Sequence, residues 1–574
     1  MYNRWKIIPK ADEDKIAKLS AELNQLNPRL TNILIQRGID TFEKAKDYFR
    51  PDWSQVHDPF LMKDMDVAVE RLQKAIKAEE KILIYGDYDV DGTTSVALVY
   101  SFLNEFYQQL DYYIPDRYSE GYGISFEGID YADDNDISLI IALDCGIKAL
   151  DKIAYANEKG IDFIICDHHN PGEEIPNAVA VLDPKRNDCE YPFKELSGCG
   201  VGFKLLQAYS QKENIPFEKL EDKLDFLAVS ICADIVPIVG ENRTLCYFGL
   251  EKLNSNPHMG FKAMLEMANF KKKRLTVMDV VFTLAPRINA AGRIESGKKA
   301  VELMIADNVD LAKLGGTEIH NQNNDRREID ASITEEALAM IAADNKLKSQ
   351  KTTVLYKADW HKGVIGIVAS RCIESYYRPT IILTESNGKA AGSARSVKGF
   401  SIYEAIEQCS DLLTQFGGHK YAAGMTMPIE NIPAFQKKFE EVVASTIPKD
   451  LLSPEIEIDS EIALTEINKK FYAVLKQFAP FGPANMKPVF ICKGVNDRGN
   501  SRIVGTNHLK LDIYHRSNRM VAFPAIGFNM SQHFEMIRSG IPFDIIFTIE
   551  ENEWNGNVTL QLVLKDLRAS DPEN

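Results

Sequence analysis

The chain of 574 residues contains no apolar run near the roughly 20 residues that a membrane-spanning helix needs. Its first residues, MYNRWKIIPKADEDK, lack the apolar segment of a secretory signal peptide. The nine cysteines are scattered and include no Cys-x-x-Cys pair, which argues against a structural zinc site. We therefore expect a cytoplasmic protein without membrane contact, whose thiols stay reduced.

The chain also lacks the excess of basic residues that many nucleic-acid-binding domains carry, since its formal net charge is −16. Composition alone favours an enzyme that acts on small molecules. It does not exclude nucleic acid, because an acidic enzyme can carry a local basic channel. The length is too great for one hydrophobic core and indicates several domains.

Apolar runs alternate with helical segments in the first half of the chain, as in KILIYG, ISLIIAL and IDFIIC. This pattern predicts a parallel α/β sheet that is covered on both faces, with ligands bound beyond the carboxyl ends of its strands. A second α/β unit begins near residue 352, and short alternating runs from about residue 455 predict a small β-barrel.

These changes of pattern predict five segments along the chain. They are a helical arm at residues 1–60, an α/β domain at 61–255, a linking region with a long connecting helix at 256–350, a second α/β domain at 351–450 and a barrel at 451–574.

An acidic turn follows the first predicted strand of the sheet. In KILIYGDYDVDG the carboxylates of Asp87, Asp89 and Asp91 are separated by single residues. Like charges this close repel and raise one another's pKa. A multivalent cation would offset the repulsion, and so would full solvation of the turn. The turn alone leaves both interpretations open.

More ligand-type residues follow the other predicted strands and one helix. They are Asp144, Asp167, His168, His169 and Asp234. A single aspartate at such a position is usually a helix cap, so the hypothesis depends on the combination. Carboxylates with one or two imidazoles suit Mn²⁺ or Mg²⁺. Two ions roughly 3.5–4 Å apart would use this many ligands and clamp a phosphoryl group.

The motifs DYDVDG, DCG, DHH and ADIVP, in this order, resemble the DHH phosphoesterase superfamily. Within it the chain is similar to the RecJ family of bacterial single-strand-specific DNA exonucleases. The segments that extend this similarity are PDRYSEGYG, SGCGVGFKL, LAPRINAAGR, WHKGVIGIVASR, GSARS, FGGHKYAAG and PFGPANMKPVF. The resemblance implies a DHH catalytic domain, a DHH-associated substrate-binding domain and a C-terminal OB-fold.

The resemblance also implies an activity and its metal ligands. The activity is 5′→3′ hydrolysis of single-stranded DNA to 5′-mononucleotides, in DNA repair and recombination. Two Mn²⁺ or Mg²⁺ ions would be bound by Asp89, Asp91, Asp144, His168 and Asp234. Asp144 would bridge the ions, and Asp87 would be a ligand or a neighbour of the ligands. His169 would lie beside the scissile phosphate to orient it or to handle a proton, with direct ligation left open.

For the DNA, the resemblance implies a second set of residues. Arg117, Ser393 and Arg395 would hold the 5′-terminal phosphate. Arg287 and Arg293 are candidates for the DNA backbone. Gly418 and His419 belong to a glycine-rich stretch that is typical of an exposed turn suited to phosphate or base contact.

The sequence also leads to expectations about the oligomeric state, the partners and two alternative functions. We expect a monomer, and a partnership with a helicase and a single-strand-binding protein follows from the resemblance alone. One rival function is an oligoribonuclease or cyclic-dinucleotide phosphodiesterase of the same superfamily. Those relatives tend to lack the barrel, so residues 451–574 argue against it. The other is a non-catalytic replication scaffold, against which the intact DYDVDG and DHH motifs argue.

Overall fold

The structure, a computed structural model, describes residues 3–554 and 556–570. The chain divides into two compact units, one formed by Met1–Gln55 with Glu455–Asn574 and the other by Val56–Pro454. Among the described helices, none combines the length and the apolar composition that a membrane crossing needs.

The N-terminal segment is mostly helical and begins with a short strand. Its elements are β1 (Arg4–Ile7), α1 (Glu13–Glu22), α2 (Pro28–Gln36) and α3 (Phe42–Phe49). Each helix begins after a residue whose side chain accepts a backbone N–H bond of the first turn. These caps are Asp12, Asn27 and Thr41.

The first part of the larger unit is the α/β domain that the apolar runs predict. Its elements are α4 (Met65–Lys77), β2 (Lys81–Gly86), α5 (Val90–Leu103), β3 (Leu110–Tyr113), α6 (Phe126–Asp134), β4 (Ile137–Leu143), α7 (Leu150–Glu158), β5 (Asp162–Cys166), β6 (Ala180–Leu182), α8 (Gly198–Glu213), α9 (Glu218–Glu221), α10 (Leu224–Ala233) and α11 (Gly240–Ser255). The strands form one sheet in the order β3-β2-β4-β5-β6. All its pairings are parallel.

Helices cover both faces of this sheet. On one face Ile129 of α6 and Ile153 of α7 join the strand residues Ile140 and Ile165 in a single core. On the other face Leu143 lies against α8 and α5. The parallel, doubly covered sheet is therefore confirmed. Its carboxyl edge carries the acidic turn after β2 and the histidines after β5.

A buried ion pair ties helices α8 and α11 together. The Nζ of Lys204 lies 2.7 Å from Oε1 of Glu241, and neither side chain is exposed. Lys204 also donates to the carbonyl of His57 (2.9 Å), and Glu241 accepts from the hydroxyl of Tyr191 (2.7 Å). Every charge in this cluster thus has partners.

Replacing Lys204 by Met should lower the free energy of unfolding by about 3–5 kcal/mol, because Glu241 would stay buried without its cation. Urea-induced unfolding followed by circular dichroism measures the change. The double variant Lys204→Met/Glu241→Gln should recover part of the loss, because Gln carries no charge but still offers an acceptor to the Tyr191 hydroxyl or the His57 N–H. Lys77→Met, at the exposed end of α4, is the control. A double variant less stable than the single one would contradict this account.

The linking region is helical in its described elements. They are α12 (Met259–Met267), α13 (Val277–Asp279), a π-helical turn at Val280–Leu284, α14 (Ala285–Ile294), α15 (Lys298–Met304) and α16 (Val309–Ala343). Helix α16 has 35 residues and is the long connecting helix expected from the sequence.

The second α/β domain follows. Its elements are α17 (Asn345–Ser349), β7 (Thr353–Tyr356), α18 (Ile365–Ser375), β8 (Thr380–Ser386), β9 (Lys389–Arg395), α19 (Ile402–Glu407), β10 (Gln415–His419), β11 (Ala422–Met427) and α20 (Ile432–Thr446). Its sheet has the order β10-β11-β9-β8-β7. The prediction of a turn at Gly418 and His419 is wrong. Both residues belong to strand β10, and the chain turns after them, at Lys420–Tyr421.

The C-terminal segment forms a closed barrel. Its elements are β12 (Glu455–Ile458), β13 (Ser460–Glu461), α21 (Lys469–Lys476), β14 (Phe490–Asp497), β15 (Arg502–Val504), β16 (His508–His515), β17 (Asn518–Gly527), α22 (Phe534–Arg538), β18 (Phe543–Trp554) and β19 (Asn557–Ala569). The order β14-β18-β19-β17-β16 closes through a β14–β16 pairing. A closed five-stranded ring with extra edge strands fits the expected OB-fold.

The N-terminal segment packs on this barrel. Strand β1 pairs in parallel with β12, and Leu30, Ile33 and Leu34 of α2 belong to the barrel core. The N-terminal helices therefore complete the C-terminal unit, a long-range contact that the sequence pattern did not indicate.

Candidate metal centre and phosphate pocket

Local structure sets the direction of the first carboxylates. Asp87 directly follows β2, and Asp89 caps α5 by accepting the backbone N–H of Gly92 (3.1 Å). Asp91 lies in the first turn of α5, and its carboxylate accepts backbone N–H bonds from Gly198 (2.6 Å) and Cys199 (2.9 Å) at the start of α8. The N-terminus of α8 therefore holds Asp91 in place.

Asp144 enters the site from the next strand. It directly follows β4 with a left-handed backbone (φ 60°), a conformation that Asp tolerates better than most residues. Its Oδ1 lies 3.1 Å from Nε2 of His168. Neither atom has a hydrogen-bond partner among the described residues although both are buried, so the contact lacks hydrogen-bond geometry. Two unpartnered ligand atoms that face each other suit a cation.

Two overlapping groups of possible metal ligands result. Asp91, His168 and Asp234 form one group, and Asp144, His168 and His169 form the other, with the ligand atoms of each group within 4.8 Å of one another. Asp87 and Asp89 belong to neither group. Both carboxylate oxygens of Asp87 are buried without a hydrogen-bond partner in the described part of the chain. Six of the expected metal-site residues, His169 included, therefore lie together or carry unpartnered ligand atoms. Asp89 uses one carboxylate oxygen to cap α5, and after burial and Asp91 its charge also raises the pKa of Asp144 and Asp234.

The electrostatics of these residues fit a divalent cation. Burial and then the charge of Asp91 raise the pKa of both Asp144 and Asp234 well above the ordinary value. Burial, and then the charge of Asp89, raise the pKa of Asp87 well above its ordinary value. Burial lowers the pKa of His168, which keeps its imidazole neutral and available as a ligand. The positive charge of a bound cation would oppose these shifts and favour the ionised carboxylates.

His169 is oriented by a carboxylate outside the two groups. Its Nδ1 lies 2.7 Å from Oδ1 of Asp167, whose Oδ2 accepts the backbone N–H of Ile147 (2.9 Å). Burial alone would lower the pKa of His169, but the hydrogen bond to Asp167 raises it. Burial would raise the pKa of Asp167, and the hydrogen bond and charge of His169 lower it instead. Asp167 therefore fixes the ring and favours its protonated form.

Tyr122 is a site residue that the sequence interpretation missed. Its hydroxyl lies 3.2 Å from Nε2 of His169 and donates to the carbonyl of Asp144 (3.2 Å). The only signal was its place in the PDRYSEGYG segment. The ring of His419 is nearly parallel to that of His169, with the ring centroids 6.2 Å apart.

Asp167→Asn should lower kcat about 10- to 100-fold, because His169 would lose the partner that orients it. The part of the pH–rate profile that reflects the titration of His169 should move to lower pH, because the variant lacks the carboxylate that raises the pKa of His169. KM should change little. A pH–rate profile measures both effects, with Asp151→Asn, an exposed carboxylate on α7, as control. An unmoved profile would show that Asp167 does not act through His169.

A second site, which we call the phosphate pocket, has a volume of about 430 Å³. It is defined by Arg117, Arg293, Lys362, Ser393 and Arg395 with the first turn of α18. No acidic residue of the described chain lines it. Within residues 3–554 and 556–570, none of its three arginines forms an ion pair. Unpaired guanidinium groups around a cavity indicate an anion ligand.

The N-terminus of α18 forms one wall of the pocket. A methyl group on Gly366 would lie 2.8 Å from both Nη2 of Arg395 and Oγ of Ser393, so a larger residue there would have to displace these two side chains. The first backbone N–H groups of a helix have no partner within the helix and attract phosphate. Arg395 also donates to Oγ of Ser393 (3.1 Å).

The remaining expected DNA residues fall in different places. Arg293 was expected on the DNA backbone, and the structure brings it into the phosphate pocket, where Nη1 donates to the carbonyl of Gly363 (2.9 Å). Arg287 lies outside the pocket, buried beside His320 (3.3 Å). Gly418 is next to Gly417 of the pocket wall, on the same exposed strand.

Arg117 connects the pocket to the metal centre. Its guanidinium carbon lies 4.1 Å from the ring centroid of Tyr88, the residue between Asp87 and Asp89. The two sites are therefore neighbours, and a strand held by its end in the pocket would lead to the metal ligands.

Three family models match separate parts of the chain. Residues 81–231 match the DHH family N-terminal domain, residues 349–445 match the DHHA1 domain and residues 458–566 match the RecJ OB domain.

Whole-chain comparisons agree with these matches. The chain is 37% identical over 573 residues to the single-stranded-DNA-specific exonuclease RecJ of Bacillus subtilis (strain 168), covering 99% of this chain and 71% of that protein. It is 31% identical over 575 residues to RecJ of Escherichia coli (strain K12), and the match covers 96% of this chain and 97% of that protein. The crystal structure of RecJ from Thermus thermophilus in complex with Mn²⁺ superimposes with a TM-score of 0.84 at 26% identity, covering 99% of this chain and 80% of that one.

Proposed function

Because the chain belongs to the RecJ family of single-stranded-DNA-specific exonucleases, we propose that it degrades single-stranded DNA from the 5′ end. The observation that carries the 5′ polarity is the phosphate pocket, which lies beside the metal centre and is lined by three arginines and no acidic residue of the described chain. A cationic pocket beside the metal centre suits a terminal phosphate monoester, and the similarity to RecJ assigns that phosphate to the 5′ end.

The metal centre of this enzyme takes Mn²⁺ or Mg²⁺. We assign the ligands to Asp89, Asp91, Asp144, His168 and Asp234, with Asp87 as a further ligand or a neighbour of the ligands, and expect two ions. When bound, the ions supply Lewis-acid activation of the water and of the scissile phosphate.

The residues of the chain then have separate tasks. His169, held by Asp167, is placed to orient the scissile phosphate or to hold a proton at Nε2. Arg395 and Arg117 hold the 5′-phosphate in the pocket. Hydrolysis of the bond between phosphorus and the 3′ oxygen releases a 5′-mononucleotide. It leaves a new 5′-phosphate on the shortened strand, which is again a ligand for the pocket.

We propose the remaining assignments on the same basis. The DHH catalytic domain extends over 61–255 and the DHH-associated domain over 351–450, joined by the linking region 256–350. The OB-fold at 451–574 contributes a single-strand surface, as barrels of this type do. The protein acts in the cytoplasm as a monomer in DNA repair and recombination, with a helicase and a single-strand-binding protein as partners.

A digestion assay tests the proposal. Single-stranded DNA labelled at the 5′ or the 3′ end is incubated with Mn²⁺, with Mg²⁺ or with chelator. We expect 5′-mononucleotides to be released first from the 5′ end, only with metal, and duplex DNA to resist. Release from the 3′ end first would reject the polarity. Faster cleavage of di- and trinucleotide RNA or of cyclic dinucleotides would favour the phosphodiesterase alternative instead.

A further inference from the structure

The phosphate pocket carries more positive charge than one terminal phosphate needs. Arg117, Arg293, Lys362 and Arg395 all line it, and no described lining residue is acidic. A phosphate monoester carries only about 1.5 to 2 negative charges at pH 7. A bound 5′-monophosphate would therefore leave about two cations of the pocket without a counter-charge.

The three arginines of the pocket form no ion pair with any described residue, and the pKa values of Arg293 and Arg395 are lowered. Burial, and then Arg117 and Arg395, lower the pKa of Arg293 to about 10. Burial and then Arg117 lower the pKa of Arg395. The N-terminus of α18 adds a partial positive charge to the same wall. The pocket thus favours ligands with more than one phosphate.

The shape of the pocket allows such a ligand. Its volume of about 430 Å³ is large beside a single phosphate group, because one water molecule takes about 30 Å³ of liquid. Arg293, Arg395 and Ser393 form the inner part, which is only partly exposed. Lys362 is exposed, immediately precedes Gly363 and forms no ion pair with a described residue. Its Nζ lies 6.0 Å from the ring centroid of Tyr118, a weak contact that a phosphate group would outcompete.

We propose that the phosphate pocket accepts 5′-diphosphate and 5′-triphosphate ends as well as monophosphates, and that Lys362 contacts the outer phosphates. This inference rests on the proposed role of the pocket in binding the 5′ end. Its substrates would be single strands that carry a 5′-diphosphate or 5′-triphosphate end.

The reaction remains the hydrolysis of one phosphodiester bond. Water adds to the phosphorus of the first internucleotide linkage, the bond from phosphorus to the 3′ oxygen breaks, and that oxygen takes a proton. The first nucleotide leaves as a nucleoside 5′-di- or triphosphate with its anhydride bonds intact. The shortened strand carries an ordinary 5′-phosphate, so later cycles release mononucleotides.

The test compares one single-stranded sequence with a 5′-hydroxyl, monophosphate, diphosphate or triphosphate end, using full-length protein with Mn²⁺. We expect kcat/KM for the triphosphate strand to be at least equal to that for the monophosphate strand. The first product of the triphosphate strand, identified by mass spectrometry, should be a nucleoside triphosphate. A triphosphate end that is degraded tenfold more slowly, or that first loses pyrophosphate, would overturn the inference.

Variants separate the role of Lys362 from that of the pocket as a whole. Lys362→Gln should lower kcat/KM for the triphosphate strand about tenfold more than for the monophosphate strand, as loss of a charge-assisted contact does. Lys389→Gln, an exposed lysine at the start of β9, is the control. An equal loss on both strands would reject the role of Lys362. Failure of wild-type protein to degrade the monophosphate strand would instead reject the proposed function.

Discussion

Asp144→Asn should lower kcat by about 10³-fold or more, a loss typical of removing a key electrostatic group from an active site. Asn keeps the volume of the side chain but removes the charge that a metal ligand facing His168 must carry. The measurement is the rate of mononucleotide release at saturating Mn²⁺. Activity above a tenth of the wild-type value would remove Asp144 from the ligand set.

The same variant should make the metal-free protein more stable at pH 7.5, with a melting temperature about 2–4 °C higher for each kcal/mol gained in a domain of this size. The pKa of Asp144 is raised in the folded state by burial and by Asp91. The free energy of unfolding therefore falls as the pH rises from the pKa of Asp144 in the unfolded chain to its pKa in the folded protein. Asn does not ionise, so the variant does not undergo this decrease. Calorimetry with chelator at pH 5.5 and 7.5 measures it.

A matched control separates burial from metal ligation. Asp183 also follows a strand of the same sheet, is fully buried, and has its pKa raised to about 7, first by burial. It belongs to neither ligand group. Asp183→Asn should therefore keep the activity. If Asp144→Asn failed to raise the melting temperature of the metal-free protein, the proposed repulsion among the carboxylates would be wrong.

Arg395→Gln should lower kcat/KM about 10- to 100-fold on strands with a 5′-phosphate, because charge-assisted hydrogen bonds contribute about 1.5–3 kcal/mol. On strands with a 5′-hydroxyl end the loss should be only a few-fold. The preference for the phosphorylated end should therefore largely disappear. Steady-state kinetics on the two substrates, at fixed salt, measure the change.

The stability of this variant gives an independent check. Arg395 is half-buried beside Arg117, and no described residue forms an ion pair with it, so its replacement should not destabilise the protein. Inorganic phosphate should raise the melting temperature of the wild type more than that of Arg395→Gln. Arg50→Gln, an exposed arginine after α3, is the control. An unchanged preference for 5′-phosphate in Arg395→Gln would place the terminal phosphate elsewhere.

Much of the metal centre could be predicted because its residues follow strands. Apolar runs identify the strands, and parallel strands present their carboxyl ends at one edge of the sheet. Asp87, Asp144 and His168 could therefore be placed together from local pattern alone. Which carboxylate atoms face one another could not, because the left-handed backbone of Asp144 and the start of α8 against Asp91 depend on packing.

For the phosphate pocket, less of the arrangement could be predicted from the sequence than for the metal centre. The sequence motifs separated Arg293 from Arg117 and Arg395, whereas the structure places all three around one cavity. Gly418 and His419 were expected in a turn, because glycine pairs are common there, but pairing with β11 extends them into strand β10. The N-terminal segment was expected as a helical arm, and only the structure shows that strand β1 joins it to the barrel.

The sequence by itself determined the chemistry of this protein: the ligand types, their places at strand ends, the parallel sheet, the connecting helix and the barrel. Each of these follows from residue type and from periodicity over a few neighbouring residues. Only the tertiary structure decided how the arginines converge, which residue orients His169 and where the N-terminal helices pack. Those contacts join segments far apart in the chain, and side-chain packing, which no local pattern encodes, selects them.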